Sequence, residues 1–320
     1  MPRQRSSHPF AVAVVLVLAA LTGAVAIGAI WANQQLLDTS SWVSSSGRML
    51  ESREVRHRVA VFLADQLVAE AEGQLSAAGQ EEVAAEVVPR LRRQGTRLAE
   101  RVMATPQFHQ LWRQANRIGH RELVRVLDEE ATSLGGNGRV VINLTPALRQ
   151  LAASVGESGL AGSFGVGDLG ALIEPGTARI EVLEAEELEQ AQEVVRVIRE
   201  LPLPATLATV ALFALALLLG RARLRRALLG VGLSLAAAGV LALLARAVAG
   251  HEVVDALLSR EADREAAEAA WGIATSTVVE LARGAIVIGA LVVVGTVLAG
   301  DSAPVLALRR ALGLGHDAST

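Results

Sequence analysis

Four long apolar runs interrupt the chain, at residues 10–32, 201–220, 227–249 and 278–300. A helix rises about 1.5 Å per residue, so roughly 20 apolar residues match a hydrocarbon core about 30 Å thick. The pattern predicts four transmembrane helices. Between the first two runs the spacing changes to apolar residues every three or four positions, the period of amphipathic helices. Val55, Val59, Phe62, Leu63 and Leu67 predict a core-facing stripe on a helix from about Ser52. Val83, Val87, Leu91, Leu98 and Val102 do the same for residues 80–103, with Pro89 expected to kink the helix. Thr105-Pro106 is a capping hydroxyl followed by proline at the first helical position. It opens a helix over 108–127 whose apolar face is Phe108, Leu111, Trp112, Ala115, Ile118, Leu123 and Leu127. Residues 139–144 and 178–183 read as strands, 145–155 as a short helix, and 184–200 as an acidic amphipathic helix. The expected fold is mainly α: a four-helix transmembrane bundle plus a helical extracytoplasmic domain with a small two-stranded sheet.

Charge sets the predicted orientation. Residues 221–226 hold four arginines and no acid, and short arginine-rich loops stay in the cytoplasm. Arg3 and Arg5 before the first run, and Arg309-Arg310 after the last, agree. The reading is therefore a multi-pass plasma-membrane protein with a cytoplasmic N-terminus (1–9), a cytoplasmic loop (221–226) and a cytoplasmic tail (301–320). Residues 33–200 carry 18 arginines against 24 acids and are placed outside, as is the acidic loop 250–277. Trp31, Trp42 and Trp271 fall near the outer ends of spans, where indoles favour the headgroup layer. Residues 10–32 exceed the apolar core of a signal peptide and end without a small-x-small cleavage site, so an uncleaved anchor is expected.

Composition narrows the chemistry. The chain has no cysteine, which removes disulfides, thiol catalysis and thiolate metal sites. Its net charge of −3 gives no footprint for nucleic acid. All 30 basic residues are arginine, a bias of GC-rich bacterial genomes. The glycine-rich stretch 156–176 lacks the lysine of a phosphate loop, and reads as a loop. The acid clusters at 128–130 and 184–189 lack calcium-loop spacing. No catalytic residue, metal ligand or cofactor is assigned.

Two groups of polar residues stand out. Trp112, Asn116 and His120 recur every four residues, along with Phe108, and so share a side of one helix. They form either a binding site or a set of hydrogen bonds to neighbouring segments; His109 reads as a surface residue. Arg246, Glu280 and Arg283 lie near the outer ends of the third and fourth spans. They form either an outer-leaflet salt bridge or part of a transport path. Small residues four apart (Ala24/Gly28, Gly230/Ser234, Gly232/Ala236, Ala285/Gly289, Gly295/Ala299) allow close helix approach, within the bundle or between copies in a homo-oligomer.

Three segments carry a resemblance: LLDTSSWV at 36–43, FHQLWRQANRIGHRELVRVL at 108–127 and VVINLTPAL at 140–148. With the arginine-rich hairpin, they resemble a family of uncharacterised integral membrane proteins of actinobacteria. The resemblance spans most of the chain, and implies the layout but no activity.

The leading functional reading is a non-enzymatic cell-envelope protein. Its outer domain would bind a partner protein, a cell-wall component or lipid, while the spans anchor it in the bilayer. A small transporter or lipid-handling protein using Arg246, Glu280 and Arg283 is the alternative. A membrane-anchored extracytoplasmic enzyme using His120 is the third, though no nucleophile or metal motif supports it. Nucleic acid is not among the expected partners.

Overall fold

The computed structural model describes residues 9–77, 81–128, 133–134, 139–143, 179–257 and 263–299. The chain is mainly helical. Its elements are α1 (Pro9–Leu37), α2 (Thr39–Glu51), α3 (Arg53–Ala77), α4 (Glu81–Met103) and α5 (Pro106–Leu127). Then come strands β1 (Ser133–Leu134), β2 (Arg139–Asn143) and β3 (Arg179–Glu184), and α6 (Ala185–Glu200), α7 (Pro202–Leu219), α8 (Leu224–Leu257), α9 (Arg264–Ala274) and α10 (Ser276–Leu298). The expected helix 145–155, the glycine-rich stretch 156–176 and the tail 301–320 lie outside the described residues.

Two compact units form. One gathers Met1–Ala32, Glu200–Ala249 and Thr275–Thr320; the other joins Asn33–Arg199 to Gly250–Ala274. The first contains the four helices long and apolar enough to cross a membrane. Its core is made largely of small residues. Ile27 of α1, Ala242 of α8, and Val278 and Ala282 of α10 are buried together, with Trp31 against them. At the α8–α10 crossing the backbones nearly touch: a methyl group added at Gly289 would lie 2.5 Å from the Gly232 carbonyl oxygen. One at Gly239 would lie 2.5 Å from the Ala282 carbonyl. Glycine is required at both places by the close approach. Gly230 packs against Leu16 of α1, and the Ser234 hydroxyl donates to the Leu16 carbonyl at 2.6 Å. The small pairs of the third span therefore serve packing inside the unit. A methyl group at Gly28 or Gly295 would meet nothing within 4 Å.

The second unit is a set of amphipathic helices. Asp38 caps α2, accepting from the Ser41 amide at 2.7 Å; Ser52, in extended backbone, ends it. α3 and α4 pair antiparallel: Ala60 clusters with Met103, Gly95 abuts Ala64, and Val68 meets Val88. α4 runs on through Pro89 as one helix. α9 joins this unit through an Arg58–Asp263 ion pair, and Trp271 closes over Gly250. α6 is tied to the end of α5 by Arg199–Asp128 at 2.7 Å and by Gln192 donating to the Val126 carbonyl at 3.2 Å.

Two expectations are corrected. The two-stranded sheet is not what forms: among the described residues three short strand segments pair antiparallel in the order β1-β2-β3, with a register slip between Val140 and Val141. A two-residue strand is too short to leave an alternating signal, so β1 was invisible in the sequence. The second correction concerns the seam between α3 and α4. The buried residues are Ala60, Ala64, Val68, Val88 and Met103, while Phe62, Leu63, Val87, Leu91 and Leu98, expected in the core, are exposed. Small side chains let the two helices close tightly, and the bulky stripe falls one residue to the side.

Candidate functional site

The pattern 108/112/116/120 is met by a matching pattern on α2. Thr105 accepts from the Phe108 amide at 3.3 Å and starts α5. From that start, the side carrying Trp112, Asn116 and His120 faces Thr39, Trp42 and Ser46, spaced three and four apart on α2. The Trp112 indole donates to the Ser46 carbonyl at 3.0 Å, and the Trp42 indole donates to Asn116 Oδ1 at 3.2 Å. Asn116 Nδ2 donates back to the Trp112 carbonyl at 2.9 Å. The Trp42 and His120 rings stack with centroids 5.1 Å apart, and Phe108 stacks on Trp112 at 6.4 Å.

His120 is only 4 % exposed. Its Nε2 lies 3.2 Å from the Leu36 carbonyl, which can only accept, so Nε2 carries the proton. Nδ1 then accepts from the Thr39 hydroxyl at 3.1 Å. Burial pushes the imidazole below its ordinary value of 6.5, against smaller raising effects of the Leu36 carbonyl and the Asp38 charge. The ring is neutral, its nitrogens both engaged. Beside it, Asp38 is held below its ordinary carboxylate value, chiefly by hydrogen bonds from the Ser40 hydroxyl and the Ser41 amide. The three candidate binding residues thus stand together, in a network that bolts α5 onto the segment where α1 ends and α2 begins. Gln35 extends it: buried itself, it takes a hydrogen bond from Ser45 at 3.0 Å.

His109 departs from its expected surface place. It is half-buried, and its Nε2 is enclosed without a hydrogen-bond partner among the described residues. Its position on α5, next to Phe108, offered no sequence signal of this.

Arg246, Glu280 and Arg283 do not form an ion cluster. Among the described residues none of the three pairs with another; instead Arg246 Nε donates to the buried Thr275 hydroxyl at 2.7 Å. Glu280 and Arg283 are exposed on α10. The expected salt bridge is not formed among the described residues; the guanidinium is held by Thr275, one residue before α10 begins.

A further feature was misread in sequence as core. On α3, Leu63 directly precedes the buried Ala64; on α4, Val87 precedes Val88 and Leu98 precedes the seam residue Ala99. In an antiparallel pair, steps of the same sense from the seam lead to the same side, so these residues share one face. Phe62 is 51 % and Leu98 50 % exposed. Arg93, Arg97 and Arg101 stand exposed on the outer side of α4, with no carboxylate paired to them among the described residues. Arg92, by contrast, pairs with Asp65 at 2.8 Å on the opposite side of the seam.

No family model, curated protein or solved structure matches this chain.

Proposed function

We propose that the chain is a non-enzymatic envelope protein of the plasma membrane, whose outer domain docks a partner protein through the bulky stripe of α3 and α4. Four helices of sufficient length and apolarity support the membrane anchorage. Both termini and the 221–226 turn face the cytoplasm in this reading, on the charge argument. The observation that carries the docking assignment is the exposure of Leu63, Val87, Leu91 and Leu98, which helical spacing puts on one side of the helical pair. A contiguous apolar face outside the membrane-crossing helices marks an interaction site. Its arginine flank calls for a partner with an apolar ridge and an acidic rim. The engaged state of His120 weighs against a role as general base, and the lack of an ion pair between Arg246, Glu280 and Arg283 among the described residues weighs against a polar transport path. In this reading the chain acts as a tether rather than a catalyst, a role compatible with the uncharacterised actinobacterial integral membrane proteins that it resembles.

The test places a photocrosslinking residue at Leu91 or Leu98 in native membranes, with exposed Glu54 as control. One discrete protein adduct is expected at both stripe positions and not at Glu54, and Leu63→Gln should abolish it. Adducts to lipid alone, or to a second copy alone, would reject the partner assignment. For orientation, a reporter that matures only in the cytoplasm should stay inactive when inserted near Gly135; its maturation there would overturn the topology.

A further inference from the structure

The α7–α8 turn concentrates charge in a way that membrane orientation alone does not require. Gly220 ends α7, and a methyl group added there would lie 2.5 Å from the Ala227 side chain. The turn is therefore tight, and a 3-10 segment over Arg221–Arg223 carries the chain directly into α8. Arg225 has a structural task. Its Nε donates to the Thr296 carbonyl and its terminal nitrogen to the Val297 carbonyl, both at 3.1 Å, capping the end of α10. Arg223 and Arg226 have no such task. Both are exposed, without a carboxylate partner among the described residues, and together with Arg225, Leu224 and Leu229 they line an open cavity.

We propose that this cavity binds the phosphate group of an anionic phospholipid, with Arg223 and Arg226 as the recognition residues. A guanidinium presents paired N–H donors that match two phosphate oxygens, and the geometry favours phosphate over a bare point charge. Leu224 and Leu229 supply an apolar wall, which a lipid uses and inorganic phosphate does not. Each basic residue near an anionic leaflet adds to the attraction. The inference is independent of the α3–α4 docking reading, since no residue is shared between the two.

The experiment uses the full chain in detergent, delipidated and then given phosphatidylglycerol or phosphatidylcholine with identical acyl chains. Native mass spectrometry counts the retained lipid. Phosphatidylglycerol should be retained in preference, and Arg223→Gln/Arg226→Gln should reduce that preference on the order of tenfold. Arg93→Gln/Arg97→Gln, which removes equal charge from α4, should leave it unchanged. If the glutamine pair fails to fold, Arg223→Lys/Arg226→Lys decides: it keeps the charge but not the forked donors, and should weaken retention. Equal retention of the two lipids, or unchanged preference in the glutamine pair, overturns the site. Retention by the lysine pair equal to wild type overturns guanidinium recognition. Displacement by inorganic phosphate as effective as that by glycerophosphate-bearing lipid assigns the cavity to free phosphate, and overturns the lipid.

Discussion

The α8–α10 seam and the α3–α4 seam are built from the same kind of residue. Gly232, Gly239, Ala282 and Gly289 close one; Ala60, Ala64, Gly95 and Ala99 close the other. In each, small side chains bring two helices together and push bulky neighbours outward. The surroundings differ. Leu233, Val287, Ile288 and Leu291 flank the first seam in helices apolar enough for a bilayer, where exposure to lipid tails is the favourable state. Leu63, Val87, Leu91 and Leu98 flank the second in a unit whose helices are rich in charge. There the same device leaves apolar surface against water, at about 25 cal/mol for each Å². The comparison teaches that a small-residue seam is finished by what meets its outer side: an apolar surface suits lipid in one unit, and in the other it is the face for which a partner is proposed.

That contrast can be broken by substitution. Gly289→Val should destabilise most, by about 3 kcal/mol or more, because backbone rather than a flexible side chain opposes the new atoms. Thermal unfolding in detergent would show it, with Gly295→Val, at an open position, close to wild type. Ala64→Leu should destabilise the second unit by about 2 kcal/mol by forcing α3 from Gly95. Leu63→Gln, one residue earlier, should change stability by less than about 0.5 kcal/mol while abolishing partner capture. If Ala64→Leu proves harmless and Leu63→Gln unfolds the domain, the assignment of seam and stripe is reversed.

His120→Ala should remove about 2 kcal/mol by leaving the Leu36 carbonyl and the Thr39 hydroxyl without partners. It should also erase a pH window. Because the folded chain holds His120 neutral, the unfolded chain binds more protons as pH falls through the ordinary value of 6.5. The residue's contribution is full above pH 6.5 and declines below it, so wild type should lose stability on mild acidification and the alanine variant should not. Asp38→Ala, which deletes the α2 cap, should cost about 1 kcal/mol near neutral pH. Its contribution fades only below the ordinary carboxylate value of 3.8, well away from the histidine window.

The membrane-crossing helices were legible because an uninterrupted apolar run leaves no competing reading. α5 was legible from Thr105-Pro106 and its heptad-like face. Its function was half legible: Trp112, Asn116 and His120 could be aligned on one side, but their partners are 66 to 84 residues away. The same four-residue logic applied to Thr39, Trp42 and Ser46 would have supplied the other half. The α3–α4 seam was misassigned for a physical reason. Hydrophobic periodicity weights large side chains, and alanine and glycine, which carry the close packing here, contribute almost nothing to it. The enclosure of His109 and the Arg246–Thr275 bond depend on tertiary packing between distant segments, and no spacing rule encodes that.

Pro89 gives the α3–α4 hairpin an uneven grain. Lacking an N–H, it leaves the carbonyl of Ala85 without its helical donor, so the ladder of α4 is broken one rung from the Val68–Val88 contact. The far half of the hairpin is then held by fewer bonds than the half anchored at Ala60 and Met103. Amide protons of α4 should exchange in a gradient, fastest before Pro89 and slowest towards Met103, and the stripe should yield from the Pro89 end when a visitor inserts.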